Sequence, residues 1–374
     1  LFKVSSALRK RNPLCSRRGF SVDMAYFRYV MRIYITILML LCGLNTGAQV
    51  LGGRSVFNFL RFSHTPQLTA LGGVNISQPS DDAGMTFQNP VLFTAAQHTQ
   101  LNAVFNDFYG GIKVFHLSIA FHQEKLNTDF TGGLVFFNYG STTETDAAGN
   151  ILGKFRPVDF VLQAGASRRY LERWRYGMNL KFISSSYGQY RATGLAVDVA
   201  VGYRDTANGL SAAFMIKNAG TQLTAYAGEK EELPFELQAG ITKRLAHAPF
   251  SFSLTGQRLH QPDIFYADTV FNSANGYRNP SSSFTIGKLM DHLVLGATVH
   301  VHPKIELQAG YNFLRRRELT VGNTANGLNG FSLGTGVFLG KISLRYARAW
   351  YQSNSAVNQL GLNLPFNQYM HFGK

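Results

Sequence analysis

The side chains with chemistry for catalysis or ligand binding in this 374-residue chain are ten histidines, scattered serines and acids, and two arginine-rich runs. The close histidine pairs, His116 with His122 and His300 with His302, lack a third ligand at a zinc-site spacing. They read as hydrogen-bonding side chains, and neither a metal nor another cofactor is expected. No Gly-x-Ser-x-Gly elbow is expected to mark a nucleophile, which leaves hydrolase activity without a local warrant. Glu229, Glu231 and Glu232 read as a solvated loop cluster, and the sequence is not that of an enzyme. Arg168, Arg169, Arg173 and Arg175, and the run Arg315, Arg316 and Arg317, each sit at the end of an apolar segment. There a planar guanidinium could meet anionic headgroups or lipopolysaccharide phosphates, or simply form a charged turn. Arg315 to Arg317 are the stronger candidates for lipid or lipopolysaccharide contact, because three consecutive positive charges repel unless hydrated or paired.

These residues are positioned by segments with a two-residue period. Leu195, Val197, Val199, Val201 and Tyr203 alternate with Ala196, Asp198, Ala200 and Gly202; Phe235, Leu237, Ala239 and Ile241 alternate with Glu236, Gln238, Gly240 and Thr242. Leu295 to Val301 and Ile305 to Phe313 repeat the pattern, with His300, His302, Glu306, Gln308 and Asn312 on the polar side. One greasy face per segment is the signature of a half-buried strand. A soluble sandwich also alternates, but the second face here is unusually polar, and a tilted membrane strand needs roughly 9 to 11 residues. Aromatic residues at segment ends, among them Phe160, Tyr170, Tyr203, Phe313, Tyr346 and Trp350, suit interfacial girdles. The expectation is an all-β transmembrane antiparallel barrel of about 14 strands, a multi-pass protein of the cell outer membrane.

Residues 31–48 begin with Met31 and Arg32, run through an apolar stretch and finish in Thr46, Gly47 and Ala48. This is the pattern of a secretory signal peptide cleaved before Gln49, and residues 1–30 read as upstream leader. Cys15 and Cys42 both precede Gln49, so the mature chain is expected to form no disulfide. Of the 36 Lys and Arg, 28 follow residue 48, against 20 of the 21 Asp and Glu; the formal charge of +15 becomes +8. Much of the basicity leaves with the leader, and nucleic acid is not an expected partner.

Strand-like segments are expected at 101–107, 112–122, 131–139, 157–168, 174–186, 192–204, 209–217, 234–244, 249–258, 283–290, 293–302, 305–314, 329–339 and 341–351, with a further one at 355–364. The connection from Asp263 to Ser283 is the longest. Its Phe265, Tyr266, Phe271, Tyr277 and Arg278 are the candidate partner-binding residues, since aromatic and arginine side chains concentrate interface energy.

Residues 49–98, ahead of a barrel at 99–374, are of a different kind. They contain Ala70-Leu71-Gly72-Gly73-Val74, then Asp81-Asp82-Ala83, then Gln88-Asn89-Pro90-Val91-Leu92-Phe93. Gly72, Gly73, Asn89 and Pro90 form a candidate structural motif of an N-terminal plug or rim segment.

This stretch resembles the N-terminal region of the PorV and PorQ proteins of the Bacteroidetes type IX secretion system and, more distantly, fatty-acid transporters of the FadL class. The Gln49 to Leu60 and Ser77 to Leu92 stretches look most like the PorQ branch. The resemblance implies a 14-stranded outer-membrane barrel with its N-terminal segment in or near the lumen. It also implies a part in the attachment complex, anchoring a PorZ-like surface protein beside the sortase-like PorU and PorV. FadL-like transport of hydrophobic solutes is the alternative. The inward Asp198, Glu236, Gln238, Glu306, Gln308 and Asn312 argue against a long greasy tunnel.

Overall fold

The computed structural model describes residues 55–266, 269–274, 276, 285–319, 327–340, 342–352 and 355–366. The expected leader and signal peptide lie outside them. Among the described residues sixteen strands form: β1 (Gln100–Asp107), β2 (Lys113–Gln123), β3 (Thr128–Asn138), β4 (Thr142–Thr145), β5 (Ile151–Phe155), β6 (Val158–Tyr170), β7 (Trp174–Tyr187) and β8 (Tyr190–Asp205), followed by β9 (Leu210–Thr224), β10 (Glu236–Arg244), β11 (Phe250–Gly256), β12 (Leu293–His302), β13 (Ile305–Asn312), β14 (Phe331–Leu339), β15 (Ile342–Gln352) and β16 (Ser355–Pro365). All but β4 and β5 pair antiparallel in one closed ring of 14 strands, completed by β1 against β16 from Gln100 opposite Pro365 to Asp107 opposite Asn358.

The segment expected as a strand at 283–290 is a correction. Its described part carries a short helix, Ile286–Asp291, started by Thr285, whose hydroxyl accepts the Lys288 amide. Counting it raised the strand total by one, and the segment at 355–364 is the strand that closes the ring. β4 and β5 form a separate two-stranded ribbon in the β3 to β6 connection, where no strand-like segment was expected.

The two faces of the wall follow the alternation. Val199, Leu295 and Leu307 point outward and are exposed, with Val197 and Leu237 partly so, while Asp198, Glu236, Gln238, Glu306 and Gln308 are buried inside. Exposed Tyr170, Trp174 and Tyr176 stand at one end of the wall, where Trp174 and Tyr203 pack at 5.1 Å; Phe105 and Phe115, at 5.5 Å, stand toward the other. An apolar belt between aromatic residues on a ring with no free strand edge is the structure hydrocarbon permits. The chain is a multi-pass β-barrel of the outer membrane.

The long connections, after β3, β9, β11 and β13, leave one end of the barrel, and tight turns close the other. By the usual rule for these barrels the long-loop end is extracellular. A Leu295→Arg substitution should destabilise the barrel by about 2 to 4 kcal/mol if it lies near the bilayer midplane, read from urea unfolding in liposomes.

Candidate functional site

The lumen is occupied by the chain's own residues 56–97, most of them buried. Two short helices shape this plug: α1 (Pro66–Ala70), capped by the Thr65 hydroxyl, and α2 (Ala83–Gln88), capped by the Asp82 carboxylate accepting from the Gly84 amide at 2.9 Å. The wall makes room for it with glycine. A Cβ at Gly133 would stand 2.9 Å from Phe87, at Gly202 2.9 Å from Val91, at Gly240 3.0 Å from Ile76, and at Gly361 2.9 Å from Pro66. At Gly310 a Cβ would collide with the backbone of Leu71 and Gly72.

Gly72 and Gly73 have φ of 93° and 86°, a region that favours glycine. The turn they make presents the Gly72 amide to Ser332 Oγ (3.1 Å) and its carbonyl to Asn312 Nδ2 (3.2 Å) and an Arg315 guanidinium nitrogen (3.1 Å). Asn89 donates to the Ile76 carbonyl and accepts the Val91 amide, and Pro90 lies under Gly177.

Polar side chains from the wall fix the plug elsewhere. Arg345 on β15 pairs with Asp81 at 2.5 Å, with Asp82 at 3.7 Å and with Glu306 of β13. Burial pushes the Asp82 carboxyl up, opposed chiefly by the Arg345 charge. On the opposite wall a bulge places Lys217 and Asn218 both inward across from Asp198. Lys217 there donates to Gln88 of the plug at 2.9 Å, and Lys181 pairs with Asp198 at 2.6 Å. The Phe87 carbonyl accepts from Gln163.

At the extracellular end, where residues 55–62 begin the described plug, a cavity of about 590 Å³ remains. One wall is Val56, Phe57, Asn58 and Phe59; the other comes from Tyr139 after β3, Tyr187 on β7, Tyr190 on β8 and Tyr226 after β9. The rings continue one another, with Phe59 5.3 Å from Phe137, Tyr139 5.9 Å from Tyr187 and Tyr187 5.9 Å from Tyr226. At the side of the cavity Asp159 accepts from Tyr139 (2.6 Å), Tyr187 (3.1 Å) and Ser185, whose own hydroxyl lies against that of Tyr226. Nothing in the local sequence marked this site, because its residues come from five separate stretches whose only common feature is an aromatic or polar residue near a strand end.

Of the other residues singled out in the sequence, Arg315 to Arg317, Phe265 and Tyr266 fall at the same end, and Arg173 and Arg175 at the opposite, tight-turn end. Arg315, Arg316 and Arg317 lie in a helix, Phe313–Glu318, that caps β13. Each finds a partner within the chain. Arg315 also lies over the Tyr351 ring at 4.4 Å, Arg316 donates to the Gly327 and Asn329 carbonyls, and Arg317 pairs with Asp291 and covers Phe265 at 3.9 Å. Tyr266 is exposed, while the Phe271 side chain, Tyr277 and Arg278 lie outside the described residues. Arg175 pairs with Asp129, and Arg173 with Asp205 at 3.3 Å.

Gly330 to Gly334 spells Gly-x-Ser-x-Gly, contrary to the expectation that no such run is present. It runs into β14, and the Ser332 hydroxyl, donating to the Ala70 carbonyl at 3.0 Å, is a plug contact rather than a nucleophile at an elbow. The histidine pairs separate. His122 joins Asp129 at 2.6 Å, His300 meets Ser251, and His116 lies 3.1 Å from the His64 carbonyl. Burial holds the His64 imidazole well below its ordinary value, hence neutral. Among the described residues no group of three or more His, Cys, Asp or Glu is placed to hold a metal ion.

No family model matches the chain, and no curated protein matches it. Its fold is similar to solved barrels at low identity. The toluene transporter TbuX of Ralstonia pickettii is 11% identical with a TM-score of 0.47, covering 83% of this chain and 98% of that one. The CymD monoaromatic hydrocarbon channel is 12% identical with a TM-score of 0.49, covering 83% and 97%. A Pseudomonas aeruginosa FadL homologue is 11% identical with a TM-score of 0.46, covering 81% and 98%.

Replacing Arg345 with Met should cost about 3 to 5 kcal/mol, because Glu306 and Asp82 stay buried without their counter-charge. Denaturant unfolding would give the loss, and protease sensitivity of residues 56–97 should rise with it.

Proposed function

We propose that the barrel takes up a small solute with an apolar, aromatic-compatible body, first bound in the cavity at the extracellular mouth. The observation that carries this reading is the cavity itself, about 590 Å³ with aromatic walls and a few convergent polar groups. That volume and lining are those of small-molecule sites. Residues 55–62 make one wall, so a shift of this end of the plug would join the cavity to the lumen beneath. The Arg345 network holds the plug at β13 and β15 and Lys217 and Gln163 hold its Phe87 to Gln88 stretch, while residues 55–62 are held by rings, by the Val56 amide on the Glu232 carbonyl at 3.0 Å and by the Arg61 to Glu236 pair at 3.1 Å. Lumen polarity, the objection raised by the inward acids and amides, bears less on this route, since those groups are already engaged with the plug or one another.

A second reading, an attachment-complex platform for a PorZ-like protein with PorU and PorV, rests on the β11 to β12 connection. There Leu259, Tyr266, Val270, Ile286 and Leu289 are exposed. Apolar side chains on an extracellular loop are a feature of docking surfaces.

Asn58 is exposed and lines the cavity, where it accepts from Arg61 at 3.0 Å, so Asn58→Trp fills the cavity and leaves the Arg345 network untouched. Calorimetric titration of the purified protein with 2-phenylethanol should show saturable binding, weakened roughly tenfold or more in Asn58→Trp by loss of the pocket. If wild-type protein shows no saturable binding, while native pull-downs recover stoichiometric surface proteins, the platform reading replaces uptake.

A further inference from the structure

Asp159 is set apart from the other buried carboxylates. Among the described residues, Asp82 and Glu306 pair with Arg345, Asp129 with Arg175, Asp198 with Lys181, Asp205 with Arg173, Glu236 with Arg61 and Asp291 with Arg317. Asp159 is 1% exposed, and no Lys, Arg or His of the described residues reaches it at ion-pair distance. Three hydroxyls hold it instead, from Tyr139, Tyr187 and Ser185. A carboxylate has about four acceptor positions, so one remains. Buried charge without a counter-charge is costly.

Asp159 lines the mouth cavity, and among the described residues the other charged lining residue, Glu231, is also acidic. The remaining walls present tyrosine and phenylalanine rings, whose faces attract cations. Among the described lining residues a solute carboxylate would meet like charge and no basic group. An ammonium group would meet both the missing counter-charge and the ring faces.

We infer that the mouth cavity selects an organic cation, a primary or quaternary ammonium on a small apolar body, with Asp159 as its counter-ion and the tyrosine rings around it. This inference deepens the uptake reading and rests on it.

The test is calorimetric titration of the full barrel with choline and with its neutral carbon isostere 3,3-dimethyl-1-butanol, run beside 2-phenylethanol. Choline should bind roughly tenfold or more tighter than the isostere, the scale of desolvated cation–π and ion-pair contacts. Asp159→Asn should abolish that preference. Tyr190→Leu, at a half-exposed lining position, should reduce choline binding more than isostere binding. Heat-modifiable migration of each variant on gels reports an intact barrel. Equal affinity for choline and isostere in the wild type, or an undiminished preference in folded Asp159→Asn, overturns the cation assignment while 2-phenylethanol binding upholds the uptake reading. Failure of all three probes to bind overturns both.

Discussion

The pairing of β1 with β16 is the contact on which the rest of the molecule depends. In hydrocarbon an unpaired strand edge leaves amide and carbonyl groups with no partner, so the wall exists only as a closed ring. Closure fixes one face to lipid and the other to an enclosed lumen, and the lumen must then be filled, wetted or plugged. Here it is filled largely by the chain's own residues 56–97. The polar inner face is in large part the partner surface of that plug.

Filling the lumen with backbone explains the glycine placement. Gly133, Gly202, Gly240, Gly310 and Gly361 lie on different strands with no shared local motif, yet each leaves the volume that a plug residue occupies. It also explains the paired charges. Arg345 joins plug and wall as one guanidinium shared by Asp81 and Asp82 of the plug and Glu306 of the wall. Where the plug stops filling, beside residues 55–62, the wall is aromatic and a cavity remains. The same inward positions thus serve packing along most of the lumen and recognition at its mouth.

The arginines at strand ends show how one residue type changes meaning with context. Arg315 to Arg317 read in sequence as charges facing headgroups or solvent. In the fold they bind the Gly72 carbonyl, carbonyls of the β13 to β14 connection, and Asp291 with Phe265 of the β11 to β12 connection. They draw the plug turn and two extracellular connections together at one rim, so the expected partner loop is partly held down by its neighbours.

The two-residue period by itself determined the barrel, its lipid and lumen faces and nearly all its strands, because alternation is a local consequence of strand geometry and each segment carries it alone. The segment at 283–290 failed because a short apolar run bounded by polar residues fits a helical turn as well as a strand, and the Thr285 cap decided between them. The unusual character of Gly72, Gly73 and Asn89 was also legible, but not what they touch. Only the tertiary structure brought Tyr139, Asp159, Tyr187, Tyr190 and Tyr226 around one cavity, and left Asp159 without the cation that every other buried carboxylate among the described residues has. Register around a closed ring sets which strand ends meet, and no single segment of the chain contains that information.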